Sequence, residues 1–398
     1  MPPRAHPSGG PRRAPRPGRV VRRRRALAGL LTVCVVLGIT LGVAWWRLDS
    51  NITRIDLHGA LAAAPPAAAT GPMDILVIGS DTRVGQDTPD AASVSGARSD
   101  TTLVVHLSAD RQRVTVVSVP RDSMIPMPPG CDASVPRRQW TVQQENSAFS
   151  MGGPACLVRT LRGDTGLRLD HVAVVDFRGF ARMVDALGGV PVCTTTAIDD
   201  PKAHLVLARG RHVLDGTQAL GYVRARYAEG DGSDLGRIGR QQAFLASVVQ
   251  EATRTSLLLR PDRLYAFLDA ATRSLSTDRG LGLGEMRDIA TSLQHVGLGR
   301  IAFVTVPTTT YPADPNRVQW TPAASRLWRT LREDGTVRPS PSPSAPASSP
   351  TTSGAAAPPA SASPSPSGTA SSAPTPSAGS RRPSDTIEAR TADQDICS

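Results

Sequence analysis

Between Ala26 and Trp46 the chain runs for 21 residues without a charge, and no other feature restricts its folding as much. In lipid every backbone N–H and C=O must be satisfied within the segment, so a stretch this long and apolar reads as a membrane helix. At about 1.5 Å per residue it spans roughly 30 Å, one hydrocarbon core. Trp45 and Trp46 sit where an interfacial aromatic anchor belongs. Residues 1–25 carry nine arginines and no acidic residue. This asymmetry predicts a cytoplasmic tail over 1–25, a single-pass anchor over 26–46, and everything beyond on the extracytoplasmic side of the cell membrane. A cleaved signal peptide competes with the anchor, but its apolar region is shorter, and no Ala-x-Ala site follows the run before residue 60.

The same segment explains the charge. The formal net charge is +11, nine of it in the N-terminal tail, which leaves about +2 for the rest. The basic balance therefore reports membrane orientation rather than a nucleic-acid partner. Lys202 is the only lysine, so an arginine is informative here by its position and not by its presence. Of five cysteines, Cys34 lies in the apolar run, and Cys131, Cys156, Cys193 and Cys397 fall outside, where disulfides persist. Four cysteines allow three connectivities. Pairing Cys131 with Cys156 closes a local loop. Cys193 and Cys397 are then left, and the expected bond between them would pin the C-terminus; free thiols or an intermolecular bond are the alternatives.

Composition divides the remainder. Residues 47–72 read as an alanine-rich stalk, 73–337 as the globular part, long enough for one large domain or two small ones, 338–380 as a disordered Pro/Ser/Ala/Thr linker, and 381–398 as a short charged tail. Within the domain, Asp74–Ile78, Thr102–Leu107, Val114–Val119, His171–Asp176 and Ile301–Val306 are apolar runs that predict strands. Helical periodicity fills Phe177–Leu187, Ile238–Thr253, Pro261–Ala271, Leu283–Val296 and Ala323–Leu331, and Asp215 can cap a short helix before Arg224. The fold class expected is α/β: a layered domain with a central mixed β-sheet flanked by helices, preceded by a single transmembrane helix.

Chemistry concentrates at the ends of these elements. Asp81 and Arg83 follow the first strand, Arg98 and Asp100 precede the second, and Arg121 and Asp122 follow the third. If the first two strands are antiparallel and Ser108–Arg111 turns the second into the third, all of them reach one sheet edge. Arg237, Arg240 and Gln241 share a helix face at i, i+3 and i+4, whereas Arg224 and Arg226 share one only if extended. Two aspartates can hold a hard cation, and several guanidiniums can neutralise a diphosphate. Each motif alone reads more readily as a turn or a solvated ion pair than as a site. Their joint appearance at element ends favours a site. Other chemistries are poorly served: there is no phosphate-binding G-x-x-x-x-G-K-[ST] loop, no G-x-S-x-G elbow and no H-E-x-x-H.

The ordered series of motifs resembles the LytR-CpsA-Psr family over roughly Met73 to Pro307. The pieces are Gly79-Ser-Asp-Thr-Arg83, Arg98-Ser-Asp-Thr101, Val117-Ser-Val-Pro-Arg-Asp122, Asn146-Ser-Ala-Phe149 with Gly152-Gly153, Asp176-Phe-Arg-Gly-Phe180, Ala186-Leu-Gly-Gly-Val190, Leu214 to Leu220, Tyr222-Val-Arg-Ala-Arg226 and Arg237-Ile-Gly-Arg-Gln-Gln242. The resemblance implies a magnesium-dependent transferase that moves a wall glycopolymer from a polyprenyl diphosphate carrier to a peptidoglycan hydroxyl and releases polyprenyl phosphate. It implies diphosphate contacts from Arg98, Arg121, Arg224, Arg226, Arg237 and Gln241, and Mg2+ held by Asp81 and Asp100. Arg98, Arg121 and Asp122 are the catalytic candidates, with Asp122 or Asp234 as a candidate base. Arg83 and Arg240 join the diphosphate set from their place in the same segments. One departure stands out: Gln144 occupies a position where the family often has lysine. A polyprenyl diphosphate hydrolase and a membrane-bound regulator are the alternative readings.

Overall fold

The computed structural model describes residues 18–57, 59–61, 71–80, 99–132, 134–225, 234–293, 296–337, 387 and 389–394. The chain divides into two units, residues 1–51 and 52–398. The first is carried by helix α1 (Gly18–Asn51), whose segment Arg23–Asn51 has the length and composition of a membrane span, with a mean hydropathy of 2.4 in its most apolar window. The helix extends beyond the 21 uncharged residues at both ends.

The second unit is an α/β domain. In chain order its first strands are β1 (Thr53–Arg54), β2 (Met73–Ser80), β3 (Ser99–Leu107) and β4 (Val114–Val119), then β5 (Met124–Met127) and β6 (Thr141–Gln144). Helix α2 (Glu145–Thr165), β7 (His171–Asp176) and α3 (Phe177–Leu187) follow. Two hairpin pairs come next: β8 (Val190–Thr194) with β11 (Gly210–Leu214), and between them β9 (Ile198–Asp200) with β10 (Leu205–Leu207). Then come α4 (Gly216–Arg224), α5 (Asp234–Ala252), α6 (Thr255–Leu258), α7 (Pro261–Arg273), β12 (Leu275–Thr277), α8 (Leu283–Ser292) and β13 (Ile301–Thr305). The hairpin β14 (Thr308–Tyr311) and β15 (Asp314–Trp320), α9 (Pro322–Arg332) and β16 (Ala389–Thr391) complete the domain.

Eight strands form the central sheet in the order β1-β12-β7-β2-β3-β4-β13-β16. It is mixed: β2 pairs antiparallel with β3, β3 antiparallel with β4, and β2–β7 and β4–β13 are parallel. All six residues of β4 are buried, as an unbroken valine-rich run requires when both faces of a sheet are covered. One face packs Leu76, Ile78, Val104 and Val117 against Phe149, Leu157 and Leu161 of α2 and Leu327 and Trp328 of α9. The opposite face meets Ala246 of α5, and Met286 and Ile289 of α8. A separate cluster joins α3, α4 and Phe244 of α5 to the two side hairpins.

Local signals account for the helices that the sequence revealed. Asp176 caps α3 by accepting from the Arg178 N–H, and Asp215 with Gln218 forms a reciprocal capping box on α4. Helix α2 escapes periodicity because it is two helices joined at Gly152–Gly153. Gly153 has φ +61, and a Cβ at Gly152 would lie 2.9 Å from Cys156 Cβ and 3.1 Å from Cys131 Sγ. Those two cysteines are bonded as expected, with Cα atoms 5.3 Å apart.

Two boundaries differ from expectation. Residues 52–60, read as stalk, belong to the domain: Thr53–Arg54 pairs with β12, and Ile55, Leu57 and Ala60 are buried in the main core. Alanine content hid three well-spaced apolar residues. The tail also contributes structure, since Ala389–Thr391 forms the edge strand beside β13 and Ala392 is fully buried. Cys193 is disulfide-bonded. Its expected partner Cys397, like the linker, lies outside the described residues.

Candidate functional site

The parallel strands β2, β4, β7 and β13 end at one rim, the usual place for a site in an α/β sheet. Antiparallel pairing of β2 with β3 sets Ser80 beside Ser99, so Asp100 starts at this rim, and the short return through Ser108–Arg113 brings Arg121 and Asp122 back to it. Arg121 Nη1 donates to Asp100 Oδ1 at 2.9 Å, and its Nε lies 3.8 Å from Asp122 Oδ2. The Arg121 side chain is only 14% exposed, against 34% for Asp100, so this guanidinium is held largely out of water. Asp81, Arg83, Arg98 and Arg226 lie outside the described residues.

Helix α5 approaches the rim from one face. Gln242 donates to Ser118 Oγ on β4 and to Thr305 Oγ1 on β13, while Ala246, one turn later, packs among Val114, Val116 and Phe303. The helix therefore runs antiparallel to β4 and delivers its N-terminal half, Arg237 to Gln241, to the rim. Arg237 and Arg240 are both buried. Arg240 Nη2 donates to the Ala225 carbonyl, while its buried Nε and Nη1 have no hydrogen-bond partner among the described residues. A guanidinium left partly unsatisfied in a buried place is costly unless an anion completes it. Gln241 Nε2 donates to the Val223 carbonyl at 3.1 Å and so braces the end of α4. Arg224 is the last residue of that helix rather than part of an extended segment. Its guanidinium stacks 4.5 Å over the Phe177 ring, which in turn lies against Gly79 near the end of β2.

A cavity of about 880 Å³ opens beside Asp100, Arg121 and Asp122. Gln143, Gln144, Asn146, Ser147, Ser150 and Met151, from β6 and the first segment of α2, supply a wall of amides and hydroxyls. Among the described residues the remaining charged lining residue is Arg317, which the sequence reading missed. It sits on β15, and its Nη1 donates to Asp122 Oδ1 at 2.7 Å. Gln144 Nε2 donates to the same oxygen. No motif surrounds Arg317, and 195 residues separate it from Asp122, so no local signal could have found it.

The donor set also bears on a metal. Among the described residues no group of three His, Cys, Asp or Glu could hold an ion. Magnesium is commonly held by one or two carboxylates together with phosphate oxygens, and Asp100, a partly exposed hard oxygen ligand beside the Arg121 guanidinium, fits that mode.

A family model for LytR_cpsA_psr matches residues 49–332, most of the chain. The chain belongs to the LytR-CpsA-Psr family. It is 33% identical over 287 residues to the probable cell wall biosynthesis protein LcpB of Corynebacterium glutamicum, covering 71% of this chain and 64% of that protein. To the cell wall biosynthesis protein LcpA of the same organism it is 31% identical over 313 residues, covering 72% and 60%. The chain thus spans less than two-thirds of the length of either relative. The structure of the LytR-Csp2A-Psr enzyme from Actinomyces oris superposes with a TM-score of 0.54 at 22% identity, covering 70% of this chain and 95% of that one, a likeness of fold.

Proposed function

We propose that this LytR-CpsA-Psr protein is an extracytoplasmic transferase that moves a wall glycopolymer from a polyprenyl diphosphate carrier to a peptidoglycan hydroxyl. What supports the reading is the rim, where Arg121 bridges Asp100 and Asp122 and Arg224 stacks on Phe177 near the end of β2, while α5 brings Arg240 with two buried donors that have no partner among the described residues. The named cell wall biosynthesis relatives agree with it. The apolar helix α1 would hold the domain at the membrane where a prenyl-linked donor resides.

The acceptor oxygen would form a bond to the glycan-side phosphorus as the bond from that phosphorus to the bridging oxygen breaks. Polyprenyl phosphate leaves, and the hydroxyl proton passes to solvent or to the leaving phosphate. Arg121, Arg224, Arg237 and Arg240 offset charge on the diphosphate by charge-assisted hydrogen bonds, with Arg83, Arg98 and Arg226 in the same role. Asp100, with Asp81, would hold Mg2+, which when bound supplies further charge neutralisation to the phosphates. Asp122 Oδ1 is already engaged by Arg317 and Gln144, an arrangement that suits positioning Arg121 better than abstracting a proton.

The test is transfer by the full-length chain in detergent micelles, given a polyprenyl diphosphate-linked glycan and peptidoglycan. Glycan should become attached to peptidoglycan as polyprenyl phosphate is released. Release that proceeds equally without peptidoglycan would instead mark a hydrolase.

A further inference from the structure

The β14–β15 hairpin inserts a cation into the cavity wall that neither neighbouring element carries. Among the described residues the charged lining residues alternate in sign as Asp100, Arg121, Asp122 and Arg317, and the other described lining residues are neutral. Arg317 Nη1 bonds Asp122 Oδ1 at 2.7 Å, and its Nε stands 3.6 Å from Asp314 Oδ2, so two carboxylates tether the guanidinium. The backbone locks the hairpin to the same corner: Val318 N–H donates to the Asp122 carbonyl, and Trp320 Nε1 donates to Ser123 Oγ. Gln144 reaches the same Asp122 oxygen, but an amide donates a hydrogen bond without neutralising charge. Without Arg317 the Asp122 carboxylate would keep, among the described residues, only Arg121 Nε at 3.8 Å as a cationic partner, and would stand largely uncompensated toward a phosphate-bearing ligand in a partly desolvated cavity.

Resting on the transferase reading, we propose that Arg317 is the residue that neutralises Asp122, so that the cavity admits a diphosphate. Its effect falls on donor binding. The chemical step and the acceptor leave it largely untouched.

The experiment compares the full-length chain with Arg317→Gln, Arg317→Lys and the double variant Arg317→Gln/Gln144→Lys, in steady-state transfer and in calorimetric binding of inorganic pyrophosphate. Arg317→Gln should raise the donor KM roughly tenfold, the size of one lost charge-assisted contact, with kcat and acceptor KM within about twofold. Arg317→Lys should recover much of the loss. The double variant should recover it too, because the new ammonium can sit at the Asp122 oxygen that Gln144 now contacts. A merely structural role for the hairpin predicts no rescue by a charge moved to β6. An unchanged donor KM in Arg317→Gln, or a double variant as impaired as the single one, would overturn the proposal. Should Arg317→Gln melt early, the double variant decides alone: recovery supports the proposal and its absence refutes it. Pyrophosphate binding keeps the two readings apart. Weakening by Arg317→Gln and restoration by the relocated lysine would stand even if the wild type transferred nothing, an outcome that sinks only the transferase reading.

Discussion

Arg121 and His106 show two uses of a charge held out of water. Arg121 bridges Asp100 and Asp122 at the rim, and it belongs to none of the hydrophobic core clusters. Arg121→Ala is therefore expected to reduce turnover by roughly a hundredfold or more, the range seen when one pre-organised donor is removed, while the thermal midpoint moves by only a few degrees. A variant with near-normal turnover would remove Arg121 from the site. His106 lies toward the opposite end of β3, buried, with Nδ1 2.8 Å from Asp74 and Nε2 3.2 Å from Asp334. Burial alone lowers its pKa, but the hydrogen bonds and charges of Asp74 and Asp334 outweigh burial and raise it above 6.5. A histidine with a raised folded-state pKa adds stability that is complete below its unfolded value and is lost as pH rises through the folded value. The melting temperature should therefore fall as pH climbs above the ordinary histidine value of 6.5 and through the raised folded-state value. His106→Gln should flatten that slope, and an equal slope in wild type and variant would exclude His106 as its source.

Among the elements, β16 is the least expected and the most exposed to test. Three residues beyond a long linker pair with β13, and Ala392 enters the same cluster as Phe303 and Ala246. They cover an edge strand that would otherwise present unpaired backbone groups. Truncation after Val337 should lower the thermal midpoint and promote self-association through β13; a monomer of undiminished stability would argue that the strand is dispensable. On the other flank, the Cys131–Cys156 bond closes a loop across 25 residues and packs against the kink of α2. Chain-entropy reasoning puts its contribution at about 3–4 kcal/mol. Replacing both cysteines by serine should cost a comparable amount in denaturant unfolding, and an unchanged midpoint would show that packing alone holds the loop.

For the molecule as a whole, topology sets which compartment the site can serve. With nine arginines before the apolar helix, the C-terminus is expected outside. A reporter active only outside the cell, fused after Ser398, should be active; silence from a well-expressed fusion would reverse the orientation and with it the access to wall substrates.

How far each feature could be read from the sequence follows from the range of the forces involved. The apolar helix, the valine-rich strand Val114–Val119, the Asp215 cap and the return of Arg121 to Asp100 are local or one hairpin apart, and each was legible. The helix α2 was not, because Gly152–Gly153 interrupts its period: the disulfide leaves no room for a Cβ at Gly152, and Gly153 takes φ +61. Nor was the domain's claim on residues 52–60 or on Ala389–Thr391, since such short segments acquire order only by pairing with strands already formed. Arg317 is the clearest case: nothing near it in the chain distinguishes it from the other arginines. Sequence alone determined which residues could carry charge to the end of a strand. The tertiary structure decided which charges meet, because an ion pair across 195 residues depends on the packing of a hairpin against the sheet and leaves no periodic trace.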